Sequence, residues 1–218
     1  MMARDHPVWV ARDRAAGARA AARAGAGVLI MDDGHQNPSV KKTLSLIVVD
    51  GETRGGEWPF GEGGVFPAGP LREPLNAGLA RADAVVVLLP ADLAAADPAL
   101  LALFAGKPVL IARLEPVGPP PAGPQLAFAA IGKPWKMELA LKAAGCDLAE
   151  FHALPDHARL SEAALVSLAC RARTLGAGLV SSEKDWVKLP PAWRERVVAW
   201  PVKVKFDNEP AVRRLIGA

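Results

Sequence analysis

A chain of 218 residues, 51% hydrophobic and 22% charged, is long enough to bury a full core and has a globular composition that excludes a disordered protein. A formal charge of +3 is too weak for a nucleic-acid footprint; it leaves an acidic small ligand or an anionic membrane surface as compatible partners. Cys146 and Cys170 stand apart, with no Cys-x-x-Cys and no histidine at ligand spacing. They argue against a zinc site or a disulfide framework, predict two core or near-core thiols, and fit a reducing cytosol.

Taken in chain order, the N-terminus has no signal-peptide core, and no run approaches the ~20 apolar residues that span a bilayer. Val8-Trp9-Val10 reads as an early strand. A helix over 12–24 puts Arg12, Arg19 and Arg23 on one face, which fits either a solvated stripe or contact with anionic headgroups. Strands follow over 28–31, 44–49, 84–89, 109–112 and 126–131, separated by helices over 76–82 and 98–105. Strands apolar on both faces and alternating with helices predict an α/β protein with a mostly parallel sheet. The stretch 51–74 holds seven glycines and little periodicity, the mark of a functional or disordered loop. After a Pro/Gly-rich connection at 115–124 the pattern restarts. A helix over 134–144, a segment at 151–157, a helix over 161–175 entered through Ser161, a strand over 178–181, a strand-like 197–206 and a closing helix over 209–216 complete it. The expected domains are 1–125 with 200–218, and a smaller α/β domain over 129–199.

Three segments besides the loop carry candidate chemistry. Asp32 and Asp33 end the apolar run at 28–31, where open α/β sheets place ligands, and adjacent carboxylates there call for a cation or hydrogen-bond donors. A divalent metal carrying phosphates would serve, and so would an ordinary Asp-Gly turn. In Pro67-Ala68-Gly69-Pro70-Leu71-Arg72-Glu73-Pro74 the rigid loop presents Arg72, suited to a phosphate, and Glu73, suited to a metal or to holding that arginine; a mutual surface ion pair is the plainer alternative. Pro155-Asp156-His157 and Ser181-Ser182-Glu183-Lys184-Asp185 are polar segments at predicted strand ends or turns, each bland when read alone.

Their order is what speaks. Asp32-Asp33-Gly34-His35-Gln36-Asn37, the loop ending Pro-Ala-Gly-Pro-Leu-Arg-Glu, Gly132-Lys133-Pro134, Pro155-Asp156-His157 and Ser182-Glu183-Lys184-Asp185 together resemble the tetraacyldisaccharide 4'-kinases. The resemblance covers essentially the whole chain. It implies a P-loop-kinase-like sheet with a second, smaller α/β domain, and ATP- and Mg2+-dependent phosphorylation of the 4' position of an acylated disaccharide lipid. The setting it implies is the cytoplasmic face of the inner membrane of a Gram-negative bacterium, with no nucleic acid. It casts Asp32, Asp33 and His157 as catalytic, Gln36, Asn37 and Arg72 as substrate- or phosphate-binding, and Asp32 and Glu73 as metal ligands. His35 stands where the family has phenylalanine and Gly64 where arginine is usual. No Gly-x-x-x-x-Gly-Lys-Ser/Thr occurs in the 218 residues. The expectation is therefore a partial kinase without its first strands and phosphate cradle, inactive by itself, or a non-catalytic remnant or lipid- or partner-binding module. A metal-dependent hydrolase built on the Asp pair and His157 would need further ligands that the sequence does not offer.

Overall fold

The structure, a computed structural model, describes residues 2–90, 92–156, 158 and 160–217. It divides into two compact units. One comprises Met2–Arg113 with the C-terminal segment from Lys205; the other is Leu114–Val204.

In the first unit, β1 (Leu46–Asp50), β2 (Ala84–Leu89) and β3 (Val109–Pro116) are parallel, and β8 (Val202–Phe206) lies beside β3 in the order β1-β2-β3-β8. Between these strands run α2 (Leu75–Arg81) and α3 (Pro98–Ala102), and α8 (Glu209–Ile216) closes the chain. Strand β2 is buried on both faces, as its unbroken Ala-Val-Val-Val-Leu-Leu requires. Val85, Val87 and Leu89 pack with Val49, Leu100, Phe104 and Phe60 on one side; Val86, with Leu110 and Ala112, meets Ala211, Val212 and Leu215 of α8 on the other. Helix α1 (Arg14–Arg23) starts at Asp13, whose side chain accepts from the Ala16 N–H, so Arg12 lies outside the helix and the expected three-arginine stripe is broken.

The other unit repeats the logic. Its parallel sheet has the order β5-β4-β6-β7, from β5 (Leu148–Ala153), β4 (Gln125–Ala129), β6 (Gly178–Ser182) and β7 (Val197–Trp200). Helices α4 (Pro134–Ala143) and α5 (Glu162–Thr174), with the short α6 (Glu183–Trp186) and α7 (Pro191–Arg194), fill the connections. Alternation along β4 sends Leu126 and Phe128 to Leu165, Leu168 and Trp193, and Ala127 and Ala129 to Met137 and Leu141 of α4. Each large apolar side chain so buried contributes about 1.5–3 kcal/mol.

Four expectations are corrected. Residues 28–31 are not a strand: Val28 and Ile30 are 82% and 92% exposed, and among the described residues no strand pairs with them. An apolar run becomes a strand only when a neighbour completes its ladder. For the same reason Val8-Trp9-Val10 is irregular and Val10 exposed. The run 197–206 is two strands, since Pro201 lacks the N–H to continue a ladder; its carbonyl accepts from the Val117 N–H instead. Cys146 is buried, with its thiol pKa pushed up by burial and by Asp147, whereas Cys170 is exposed on α5.

The Ser182-Glu183-Lys184-Asp185 segment is where β6 turns into α6. The Ser182 hydroxyl accepts from the Asp185 N–H as the helix cap. The Asp185 carboxylate, 2% exposed, accepts from the Ala130 N–H at 2.9 Å, the Ser182 hydroxyl at 2.8 Å and Lys188 Nζ at 2.9 Å. It thereby ties the end of β4 to the end of β6. Burial pushes its pKa up, but the Ala130 N–H, Lys188 and Ser182 together hold it below the ordinary 3.8. A lowered folded pKa means stabilisation that is full above the unfolded value and lost as pH falls through the folded one. Asp185→Ala, which strands the buried Ala130 N–H, should cost about 3 kcal/mol in chemical denaturation. Asp185→Asn should also flatten the loss of stability below about pH 4.

Candidate functional site

The polar segment 32–45 leads to β1 and makes a compact loop. Asp33 sits in the left-handed region at φ +51°, a conformation that aspartate tolerates better than most residues. The next residue must be small, since a Cβ on Gly34 would lie 2.6 Å from that of Met31. The Asn37 N–H donates to the Gly34 carbonyl at 3.1 Å, and the Asn37 side chain accepts from the Ser39 N–H at 2.9 Å and from its hydroxyl. The Asn37 side-chain oxygen thus closes its own turn.

His35 fixes this loop to the body of the unit. Its Nε2 faces the Gly78 carbonyl at 3.0 Å; a carbonyl only accepts, so Nε2 carries the proton. In the neutral ring Nδ1 then accepts from the Ser45 hydroxyl, 2.7 Å away, while the Ser45 N–H donates to Asp83 at 2.7 Å. Both nitrogens of the ring thus find partners. Around it lies a pocket of about 260 Å³ lined by His35, Gln36, Asn37, Lys42, Arg81 and Asp83, among others.

The glycine-rich loop is closed by its own backbone. The Phe66 N–H donates to the Leu71 carbonyl at 2.8 Å and the Leu71 N–H to the Gly64 carbonyl at 3.2 Å. The two glycines that meet there have no room for side chains: a Cβ on Gly69 would lie 2.2 Å from the Gly64 carbonyl oxygen, and one on Gly64 2.8 Å from that of Ala68. Glycine at 64 therefore suits the tight closure, which delivers Arg72 and Glu73 to the start of α2.

These two do not pair with each other. Arg72 Nη1 donates to both Asp33 oxygens at 2.8 and 2.7 Å, and this contact raises the guanidinium pKa further. Glu73 accepts from Arg81, at the far end of α2, through both oxygens, and from Gln36. Arg81 holds the Glu73 carboxyl below the ordinary 4.5, against partial burial, with Gln36 adding to the effect. So Asp33, Gln36, Arg72 and Glu73 come together along α2. Asp32 is exposed and, among the described residues, makes no hydrogen bond or ion pair. His157 lies outside the described residues.

Both Glu73 oxygens, assigned to a metal by the resemblance, are occupied by Arg81. Among the described residues no group of three or more His, Cys, Asp or Glu is arranged to hold a metal ion. Magnesium asks for only one or two protein carboxylates when phosphates and water complete its shell, and solvent-facing Asp32 suits that demand.

Two participants carried no signal in the sequence. Arg81 and Lys42, whose Nζ reaches the Gly34 and Asn37 carbonyls, are basic residues outside any motif. A second ionic cluster lies past the carboxyl ends of β1 and β2: Arg54 is gripped by the buried Glu52 and by Asp92, which raises its pKa and closes the turn after Gly51. For Glu73 the sign is that of Asp185: the clasp is complete above the ordinary carboxylate pKa and released as pH falls through the lowered value. A carboxyl 13C titration should place the Glu73 midpoint below 4.5, and Arg81→Ala should move it upward.

The chain is 70% identical over 217 residues to a tetraacyldisaccharide 4'-kinase of Phenylobacterium zucineum, covering 100% of this chain and 66% of that protein. It is 64% identical over 216 residues to the one of Caulobacter sp. strain K31, covering 99% and 64%. The chain thus spans about two thirds or less of the length of these curated relatives. Among solved structures, LpxK from Aquifex aeolicus, an "apo" form in complex with ATP, has a similar fold. The TM-score is 0.61 at 24% identity, with 92% of this chain and 60% of that one covered. The model of the family Tetraacyldisaccharide-1-P 4'-kinase matches residues 1–218, and the chain belongs to that family.

Proposed function

We propose that these residues form part of an enzyme that transfers the γ-phosphoryl group of ATP to the 4'-hydroxyl of an acylated disaccharide 1-phosphate, a step in making lipid A. The observation that supports this best is the Asp33–Arg72 ion pair, because it joins the two most specific motifs of the chain in one cluster. In the reaction a bond forms between the 4' oxygen and the γ phosphorus, the bond from that phosphorus to the bridging oxygen breaks, ADP leaves, and the hydroxyl proton is taken up.

Within that step Arg72 is the phosphate-facing cation, a planar fork suited to two phosphoryl oxygens. Asp33 orients it: both carboxylate oxygens hold one guanidinium nitrogen and leave the other nitrogens for a ligand. Asp32 is the residue for Mg2+, which when bound neutralises charge on the transferring phosphoryl group. Gln36, hydrogen-bonded to Glu73, is the residue for substrate polar groups beside it. Asn37 shapes the loop, and His157, in the Asp-His segment, completes the catalytic set by family resemblance. The acceptor is a lipid, so the reaction belongs at the cytoplasmic face of the inner membrane. No described helix is long and apolar enough to cross a membrane.

Phosphoryl transfer depends on a preorganised cradle for the phosphates, and the 218 residues contain no P-loop. Assayed alone with ATP, Mg2+ and labelled acylated disaccharide, they should give no measurable turnover. Fused at the N-terminus to a P-loop segment of a family member, they should turn over, and Arg72→Met in that fusion should lower kcat on the order of 100-fold. Robust turnover by the 218 residues alone would overturn the assignment of the cradle. An inactive fusion that binds ATP would favour a non-catalytic module.

A further inference from the structure

Lys42 is one of two consecutive lysines, and its neighbour Lys41 is exposed. Lys42 is half-buried, and its ammonium is not directed at a carboxylate. It donates to two main-chain carbonyls, Gly34 O at 3.1 Å and Asn37 O at 2.5 Å. Those carbonyls bracket His35 and Gln36. The Gly34 oxygen also accepts from the Asn37 N–H, so one ammonium closes both ends of the turn that follows Asp33. That turn needs closing. Asp33 is in a left-handed conformation, Gly34 is pressed against Met31, and the Asp33 carboxylate must meet Arg72 from a different loop. A residue in such a conformation persists only when its surroundings over-determine it.

We propose that Lys42 is a positioning residue of the phosphoryl-transfer site, acting through the Gly34 and Asn37 carbonyls to hold Asp33 on Arg72 and Gln36 on Glu73. It touches no substrate in this role. A lysine is the residue that does this, because a flexible stem carrying three donors and a full charge can satisfy two carbonyl oxygens at once, and charge-assisted bonds are about twice as strong as neutral ones. His35 anchors the same loop from its other side, to Ser45 and Gly78. The two anchors differ in consequence: His35 sets where the loop lies, and Lys42 sets its internal shape.

The inference rests on reading Asp33 and Gln36 as site residues, but its test contains no phosphoryl transfer, so its failure is separable from failure of the kinase assignment. The measurement is NMR on the 218-residue chain and its Lys42→Met, Lys42→Gln and Lys42→Arg variants. It follows amide exchange at Asn37, the guanidinium N–H resonances of Arg72, and the amides of β2, in the same unit as Lys42, as a control for folding. In Lys42→Met the Asn37 amide should exchange about tenfold faster or more, and the Arg72 resonances should move toward those of free arginine, with β2 unchanged. Lys42→Arg, which keeps charge and donors, should restore both. If Lys42→Met fails to fold, Lys42→Gln reads the same signals. Unchanged Arg72 resonances in a folded Met or Gln variant would overturn the proposal, as would a Lys42→Arg chain indistinguishable from the Met or Gln variant.

Discussion

The candidate site depends on the short helix α2 acting as a rail for a loop that has no regular structure of its own. Arg72 and Glu73 precede its first turn, the Gly78 carbonyl in its middle takes His35, and Arg81 at its end reaches back to Glu73. The segment 32–37 lies against these groups by polar contacts almost throughout. Such a loop has little apolar burial to hold it and belongs to the low-stability end of the molecule. The helix is fixed the other way, by Leu75 and Leu79 packing on the core of Val85, Val87 and Leu89. Rigidity therefore passes from the sheet to the helix through apolar contacts, and from the helix to the site through hydrogen bonds and charge.

How much of this was legible in the sequence follows from what kind of force fixes each part. Strand 84–89 and helix 209–216 have the bounds that periodicity predicts, because neighbours cover both faces of the strand and the Ala211, Val212 and Leu215 side of the helix. Residues 28–31 carry the same strand-like signal and form no strand, since a pattern states what a segment can bury and not whether a partner is beside it. The short helices α6 and α7 are too brief for any period to register; capping by Ser182 and the entry through Pro190 and Pro191 decide them.

In the site the same division holds. Asp33, Gln36, Arg72 and Glu73 were legible as a motif in order, and the structure brings those four into one cluster. Their partners were not. Glu73 beside Arg72 in sequence suggested a local pair or a metal ligand, yet adjacent residues on a turn point apart, and Arg81, eight residues on, takes the carboxylate. Lys42 gave no signal, because main-chain carbonyls leave no trace in a sequence. Asn37 read as a ligand; its side-chain oxygen also forms a turn, a use of asparagine that composition alone cannot separate from binding.

The charge balance of the cluster changes how the Asp pair itself should be understood. Two adjacent carboxylates and a third at Glu73 would be costly together if nothing compensated them, and the first remedy to consider is a metal. Here most of the compensation is already present in the chain: Arg72 neutralises Asp33 and Arg81 neutralises Glu73. Only Asp32 is left facing solvent with an undirected charge. The two aspartates are thus divided in role by their environments, one directing an arginine and one open to an incoming cation. A cation bound at Asp32 would displace no existing pair. The guanidinium beside it is already oriented and costs little further ordering when anionic oxygens bind, which is the condition under which fixed charge favours a transferring phosphoryl group.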